Sequence, residues 1–457
     1  MRFLKQFALA ISLAIISLTL MSTPHVIRAA DISWPAANGK LAVNDISWLF
    51  PMPLTGADLA NEISLSAVSG PVDAITLAPS PAWSDSAMKQ YFGLVPRFSK
   101  VHGTNFSVAL PARLMDRSVW YISGVRLDPG APGLSDDVHA QFGQQPQIRL
   151  IVQPVFKNDD GTVQVLDIAA HLIFSYSSGR EDAAEAECFR RPVADMAKLS
   201  AIAEDAVALK LKLASGGIGG TKIRTDGTLL GVHPALKSKA TAAGFRGEVL
   251  AFLNRHLPEG RLTSMAVAGI PGDLEQPFMF LAMGEKSDKP GEFNPVPGPA
   301  LNPADLGAGE FGQMLSFING GAIQPVPAPN NLNPVTCRHS AMKPPLPAEG
   351  RKGLATAELF AGNAKPERIK EIVSLIGDVK RSHFFNTDCL SCHTDTRLGL
   401  GVPGISFPGI DDAVLPRERY NVRNFGWFPG SGATATNRTL QETIESVDYF
   451  NEHVLGK

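Results

Sequence analysis

The chain has 457 residues, a formal net charge of −2, 44 % apolar residues and 19 % charged residues. That balance is globular, and a near-neutral chain without a long basic run is not built to grip nucleic-acid phosphates. The length exceeds one ordinary core and predicts two or three domains, while 35 prolines and 42 glycines predict many turns and long loops.

Residues 1–30 read as a cleaved secretory signal peptide. Arg2 and Lys5 supply a positive start, Phe7 to Met21 is largely apolar, and Ile27-Arg28-Ala29-Ala30 offers small residues for cleavage. Arg28 makes that cleavage site imperfect, so an uncleaved anchor is the alternative. No cysteine follows the apolar run to carry a lipid, and no later segment is apolar enough to span a bilayer. The expected location is periplasmic or secreted.

Residues 31–180 read as a β-rich domain. Ser118 to Val125 is rich in strand formers, and Ile148, Leu150, Val152 and Phe156 fall on one face of an alternating run. Asn158-Asp159-Asp160-Gly161 supplies a turn, Val163, Val165 and Ile168 begin a return strand, and His171 to Tyr176 forms a third. The pattern is a meander expected to belong to a sandwich. Residues 181–320 read as mixed α/β. Val193, Met196, Leu199, Ile202, Val207 and Leu209 recur at helical spacing up to a glycine cluster at 216–220. That cluster lacks the Gly-Lys-Ser/Thr ending of a phosphate-binding loop. A second helix is expected over Phe245 to Leu257, and strands over Leu262 to Ile270 and Pro277 to Met283.

Residues 321–350 read as a Pro-rich linker, extended and unpaired because proline lacks an amide donor. Residues 351–457 read as a mainly helical domain. Ala355 to Phe360 is a short helix, Pro366 suits a first helical turn, and Thr439-Leu440-Gln441-Glu442 fits a capping box for the last helix. The predicted fold class is therefore multidomain α+β: a sandwich-like N-terminal region, a mixed α/β middle and a helical C-terminal domain.

Only four cysteines are present. Cys188 and Cys337 can pair as a disulfide in an oxidising compartment or stay reduced. The other two stand in Cys389-Leu390-Ser391-Cys392-His393, a C-x-x-C-H pattern. Two thiols at that spacing can each form a thioether to a porphyrin vinyl group, and the next residue projects an imidazole at the iron. At this chain's cysteine and histidine frequencies a chance match is expected on the order of once per thousand such proteins. The rivals are a redox dithiol, which expects a thioredoxin-like βαβ context, and half of a zinc site, which needs a second ligand pair.

The segment Asn386 to Asp395 resembles c-type cytochromes: five residues carry the specific likeness, and about the last hundred carry a loose one. The resemblance implies a helical haem domain with one covalent haem c on Cys389 and Cys392 and His393 as proximal ligand. It also implies a proline near the proximal histidine, for which Pro403 is the candidate, and a downstream methionine as distal ligand. Here the chain departs, because no methionine follows Met342. The candidates for a sixth ligand are His383, His453 and Met342, with Met314 and His339 further upstream. Arg397 and Arg423 are candidates to pair with the propionates, with Arg417 and Arg419 nearby. The aromatic cluster Tyr420 to Phe428 is a candidate lining.

The expected function is electron transfer with another redox protein. The alternatives are a haem enzyme with open iron acting on peroxide or a small ligand, and a binding or structural protein stabilised by its haem. No Ser-His-Asp order, carboxylate pair or His-Glu-x-x-His helix stands out.

Overall fold

The structure is a computed structural model and describes residues 40–73, 76–101, 112–131, 133–136, 138–139, 143–181, 191–269, 278–285, 289, 291–295, 313–318, 322–326, 365–380, 382, 389–418 and 421–456. The signal-peptide reading, the helix at 355–360, and Cys188, Cys337, His339, Met342 and His383 lie outside the described residues.

The strands are β1 (Ser47–Leu49), β2 (Ser69–Val72), β3 (Pro79–Pro81), β4 (Trp120–Ala131), β5 (Gln145–Lys157), β6 (Val163–Val165), β7 (Ile168–Ser175), β8 (Ser177–Glu181) and β9 (Arg191–Ala194). They continue as β10 (Arg261–Gly269), β11 (Phe278–Glu285), β12 (Phe293–Pro295), β13 (Gln313–Ile318), β14 (Ala322–Val326), β15 (Phe425–Phe428) and β16 (Gly432–Ala435). The helices are α1 (Val43–Ile46), α2 (Gly56–Leu59), α3 (Asp85–Val101), α4 (Met196–Ser215), α5 (Pro234–Lys237), α6 (Lys239–His256), α7 (Pro366–Gly377), α8 (Cys389–Leu400) and α9 (Asn437–Tyr449).

Local chemistry accounts for several of these boundaries. Asp195 caps α4 by accepting from the Lys198 amide at 3.1 Å. The helix ends at Gly216, whose φ of 83° is the left-handed stop that glycine adopts without steric cost. Pro366 opens α7. The last helix begins three residues before the expected capping box. Thr436, not Thr439, is its cap, and Glu442 is drawn away to two arginines.

One antiparallel sheet crosses the whole predicted organisation and overturns the expected fold class. Its order is β1-β4-β5-β7-β10-β11-β13-β14, with β6 added on β5 and β12 on β11. The strands read as a sandwich half and those read as a mixed middle region therefore share one hydrogen-bonded layer. Ala322–Val326, placed in the linker, pairs with β13 as the terminal strand of that path. Its proline is tolerated because an outer strand has one unpaired side. The C-terminal part is not an independent helical domain either. Its helices are short, it contains the β15–β16 hairpin, and its buried residues join the same core as the sheet.

The reason lies in the two faces of the sheet. Side chains alternate along a strand, and residues directly opposite on antiparallel neighbours share a face. Val125, Leu127, Ile148, Leu150, Val152, Leu172, Phe174 and Met265 form an apolar face. Trp48 stands with them opposite Val125, and packs edge-on against Phe245 and Phe252 of α6 at 6.3 and 5.1 Å. Arg126, Arg149, Ile151, Gln153 and His171 point the other way. The C-terminal segment covers this second, more polar face. Helices thus cover a face that the alternation assigned to another sheet. Among the described residues no helix is long and apolar enough to cross a membrane.

The fold also buries a neutral histidine. His233 is 1 % exposed, stacks on Phe245 at 4.0 Å and accepts from the Ala235 amide at 3.2 Å. Burial pushes its imidazole down to about 3, against a smaller upward pull from the Asn44 backbone. A depressed basic pKa contributes stability that is present above the unfolded value and lost as pH falls toward the folded one. Between pH 7 and pH 4 the expected loss from this residue is on the order of 3 kcal/mol. Denaturant unfolding of the parent and of His233→Gln at both pH values checks it. The variant should show the shallower pH dependence; parallel curves would assign the acid loss to other groups.

Candidate functional site

Helix α8 opens with Cys389 and carries Cys392 and His393 in its first turns. Thr394, Asp395 and Thr396, the next three residues, are fully buried. The Thr396 hydroxyl accepts from the Asn437 amide at 2.8 Å, fastening α8 to the start of α9. Cys392 is half-buried.

His393 is held by its backbone-facing nitrogen. Nδ1 lies 2.8 Å from the Val422 carbonyl oxygen, so it is the nitrogen that carries the proton and donates. A carbonyl that accepts from one ring nitrogen fixes the tautomer and the orientation of the ring, as carbonyls do behind metal-ligating histidines. Burial, opposed by the Val422 hydrogen bond, brings the imidazole down to about 4, so it is neutral at pH 7 and able to coordinate. The orienting carbonyl comes from Val422 and not from the neighbourhood of Pro403, which is exposed.

A buried ionic group lies beside the motif. Arg126 on β4 donates to Glu442 at 2.9 Å, and Arg438 donates to the other oxygen of the same carboxylate at 2.8 Å. Burial would raise the Glu442 pKa, but Arg438, Arg126 and Arg149 overcome it and hold the carboxyl well below its ordinary range. Arg438 also donates to the Ile376 carbonyl at 3.0 Å and lies within electrostatic reach of the Cys392 sulfur. The Nε of Arg126 is buried without a hydrogen-bond acceptor among the described residues. A buried guanidinium nitrogen in that state suits an anionic oxygen that the protein itself does not provide.

The other predicted residues are distributed as follows. Arg423 is 1 % exposed and donates to Asp167 at 2.5 Å, so its charge is already engaged by the sheet side. Burial pushes the Asp167 carboxyl up and Arg423 pulls it back. Arg397 is half-buried on α8, and Arg417 is exposed and paired with Asp412. Arg419 and Tyr420 are outside the described residues. Phe425, Trp427 and Phe428 are buried in β15 against the sheet, with Trp427 donating to the Phe50 carbonyl at 2.9 Å. His453 is 60 % exposed in the turn beyond α9 and packs on Tyr449 at 4.8 Å. Asn437 marks the α8 end of that helix, and a helical rise from there to residue 453 covers roughly 24 Å. His453 is thus carried away from His393. Met314 lies on β13.

The structure brings one further residue to the site. His171, on β7, lies on the sheet face covered by the C-terminal segment, and His393 is the first titratable group within electrostatic reach of it. In the sequence it is a lone polar residue in a strand, which reads as facing solvent. Only strand register and the packing of a distant segment reveal its neighbour.

Among the described residues no group of three or more His, Cys, Asp and Glu is placed to hold a metal ion. The chain matches no family model, and no curated protein and no solved structure is significantly similar to it.

Proposed function

We propose that this chain is an exported electron-transfer protein with one covalent haem c, attached through Cys389 and Cys392 and ligated by His393. The observation that carries the reading is the His393 ring, neutral and fixed through Nδ1 on Val422 O at 2.8 Å, immediately after a C-x-x-C pair at the head of a helix. When bound, the group supplies one-electron exchange between ferric and ferrous iron. The chain's own residues attach it, orient its proximal ligand and set the polarity around it. Arg126, with its buried unpaired Nε, is a candidate to meet a propionate. The partner would be another redox protein.

A second reading has one observation in its favour. A C-x-x-C pair at a helix start beside the Arg438 charge is also a setting that stabilises a thiolate, as a redox dithiol requires.

The test is haem staining of the exported chain on a denaturing gel, made in cells with working haem-attachment machinery. The parent should stain, and the double variant Cys389→Ala, Cys392→Ala should lose the stain completely. A parent chain that stays unstained but forms a reducible Cys389–Cys392 disulfide would replace this reading with the dithiol one.

A further inference from the structure

We infer that His171, on strand β7 of the sheet, is the second protein ligand to the iron of the group attached at Cys389 and Cys392, facing His393 across it. This rests on the haem reading above and adds the ligand that the sequence lacks downstream of the motif. Three observations lead to it.

The first is register. His171 stands directly opposite Ile151 on β5, so the two side chains share a face. That face is the one beneath the C-terminal hairpin: a Cβ on Gly426 would come within 3.2 Å of Ile151 Cγ2 and 2.7 Å of Gln153 Oε1. His171 therefore points toward the segment that carries His393.

The second is how the proximal side is anchored. Val422 holds His393, and the next residue, Arg423, is fastened to Asp167 at 2.5 Å. Asp167 immediately precedes β7, the strand of His171. The loop that orients one imidazole is thus tied to the strand that bears the other.

The third is space and valence. His171 is half-buried, and its other cross-strand neighbour is the small Ala266. Among the described residues no hydrogen bond engages its ring. A histidine on a covered sheet face without such a bond has a nitrogen left to coordinate.

Of the other candidates, His453 is carried away by α9.

The test uses the full exported chain as parent, His171→Ala and His171→Met, each first stained for covalent haem. Staining should be equal in all three, since attachment depends on the two cysteines. The parent should then show a low-spin absorption spectrum in both oxidation states. His171→Ala should lose that spectrum for a high-spin one and recover it on adding imidazole. His171→Met should stay low-spin with a raised reduction potential, because methionine favours ferrous iron relative to histidine. A stained parent that is already high-spin, or a stained His171→Ala that remains low-spin without imidazole, would overturn this inference and leave the haem reading standing. An unstained parent would overturn both. Should the alanine variant fail to accumulate, an unchanged potential in His171→Met is sufficient to reject His171 as the ligand.

Discussion

Trp427→Ala is expected to lower the stability of the whole protein by about 3–5 kcal/mol, the usual cost of emptying a buried aromatic site. The side chain is fully buried on the polar face of the sheet. Its indole donates to the Phe50 carbonyl at 2.9 Å, and its backbone exchanges two hydrogen bonds with the Gln153 amide, at 2.5 and 2.9 Å. Truncation opens a cavity and also leaves the Phe50 carbonyl without its indole donor, a penalty that adds to lost burial. The effect distinguishes the observed architecture from the one expected from sequence. If the C-terminal part were an independent domain, denaturant unfolding of the variant would show two transitions, with only one moved. In a shared core the single transition shifts to lower denaturant as a unit.

That shared core also marks how far the sequence could be read. The helix at Met196–Ser215 was legible because its apolar stripe and its glycine stop agree locally. The strand at Gln145–Lys157 was legible from alternation and the turn at residues 158–161 from its Asn and Gly, whereas Ile168, read with Val163 and Val165, belongs to the strand of His171. What covers each face was not legible. Alternation says that one side of a strand is apolar; it does not say whether a helix or a sheet will meet it. The cap of α9 was misplaced because Thr439 and Glu442 match a capping box, whereas Glu442 is held by Arg126 on a distant strand. The motif residues of the candidate site were legible as a spacing. Val422, Arg126 and His171 were not, since each acts through contacts whose partners lie far off in the chain.

Arg423→Met is expected to cost about 3–5 kcal/mol, more than a surface charge change, because it strands Asp167. Both members of this pair are largely buried, with side-chain exposures of 1 % and 14 %. An ion pair out of water gains little over an apolar pair, but an unpaired carboxylate there must either stay charged at high cost or take up a proton. Removing the guanidinium leaves burial as the dominant influence on Asp167 and pushes its carboxyl further up. The sign follows from that shift. A carboxyl raised in the folded state binds protons that the unfolded chain has released, so stability falls as pH rises between the two values. Arg423→Met should therefore be least stable at neutral pH and recover toward pH 4. Asp167→Asn, which removes the stranded charge, should restore much of the loss in the double variant, and a double-mutant cycle on unfolding midpoints measures that coupling. Strictly additive losses would show that the pair is not coupled in solution. The consequence for the site is direct: Arg423 follows the residue that holds His393, so a loosened pair should also loosen the imidazole, and a haem-bearing Arg423→Met should show a shifted reduction potential even where its staining is unchanged.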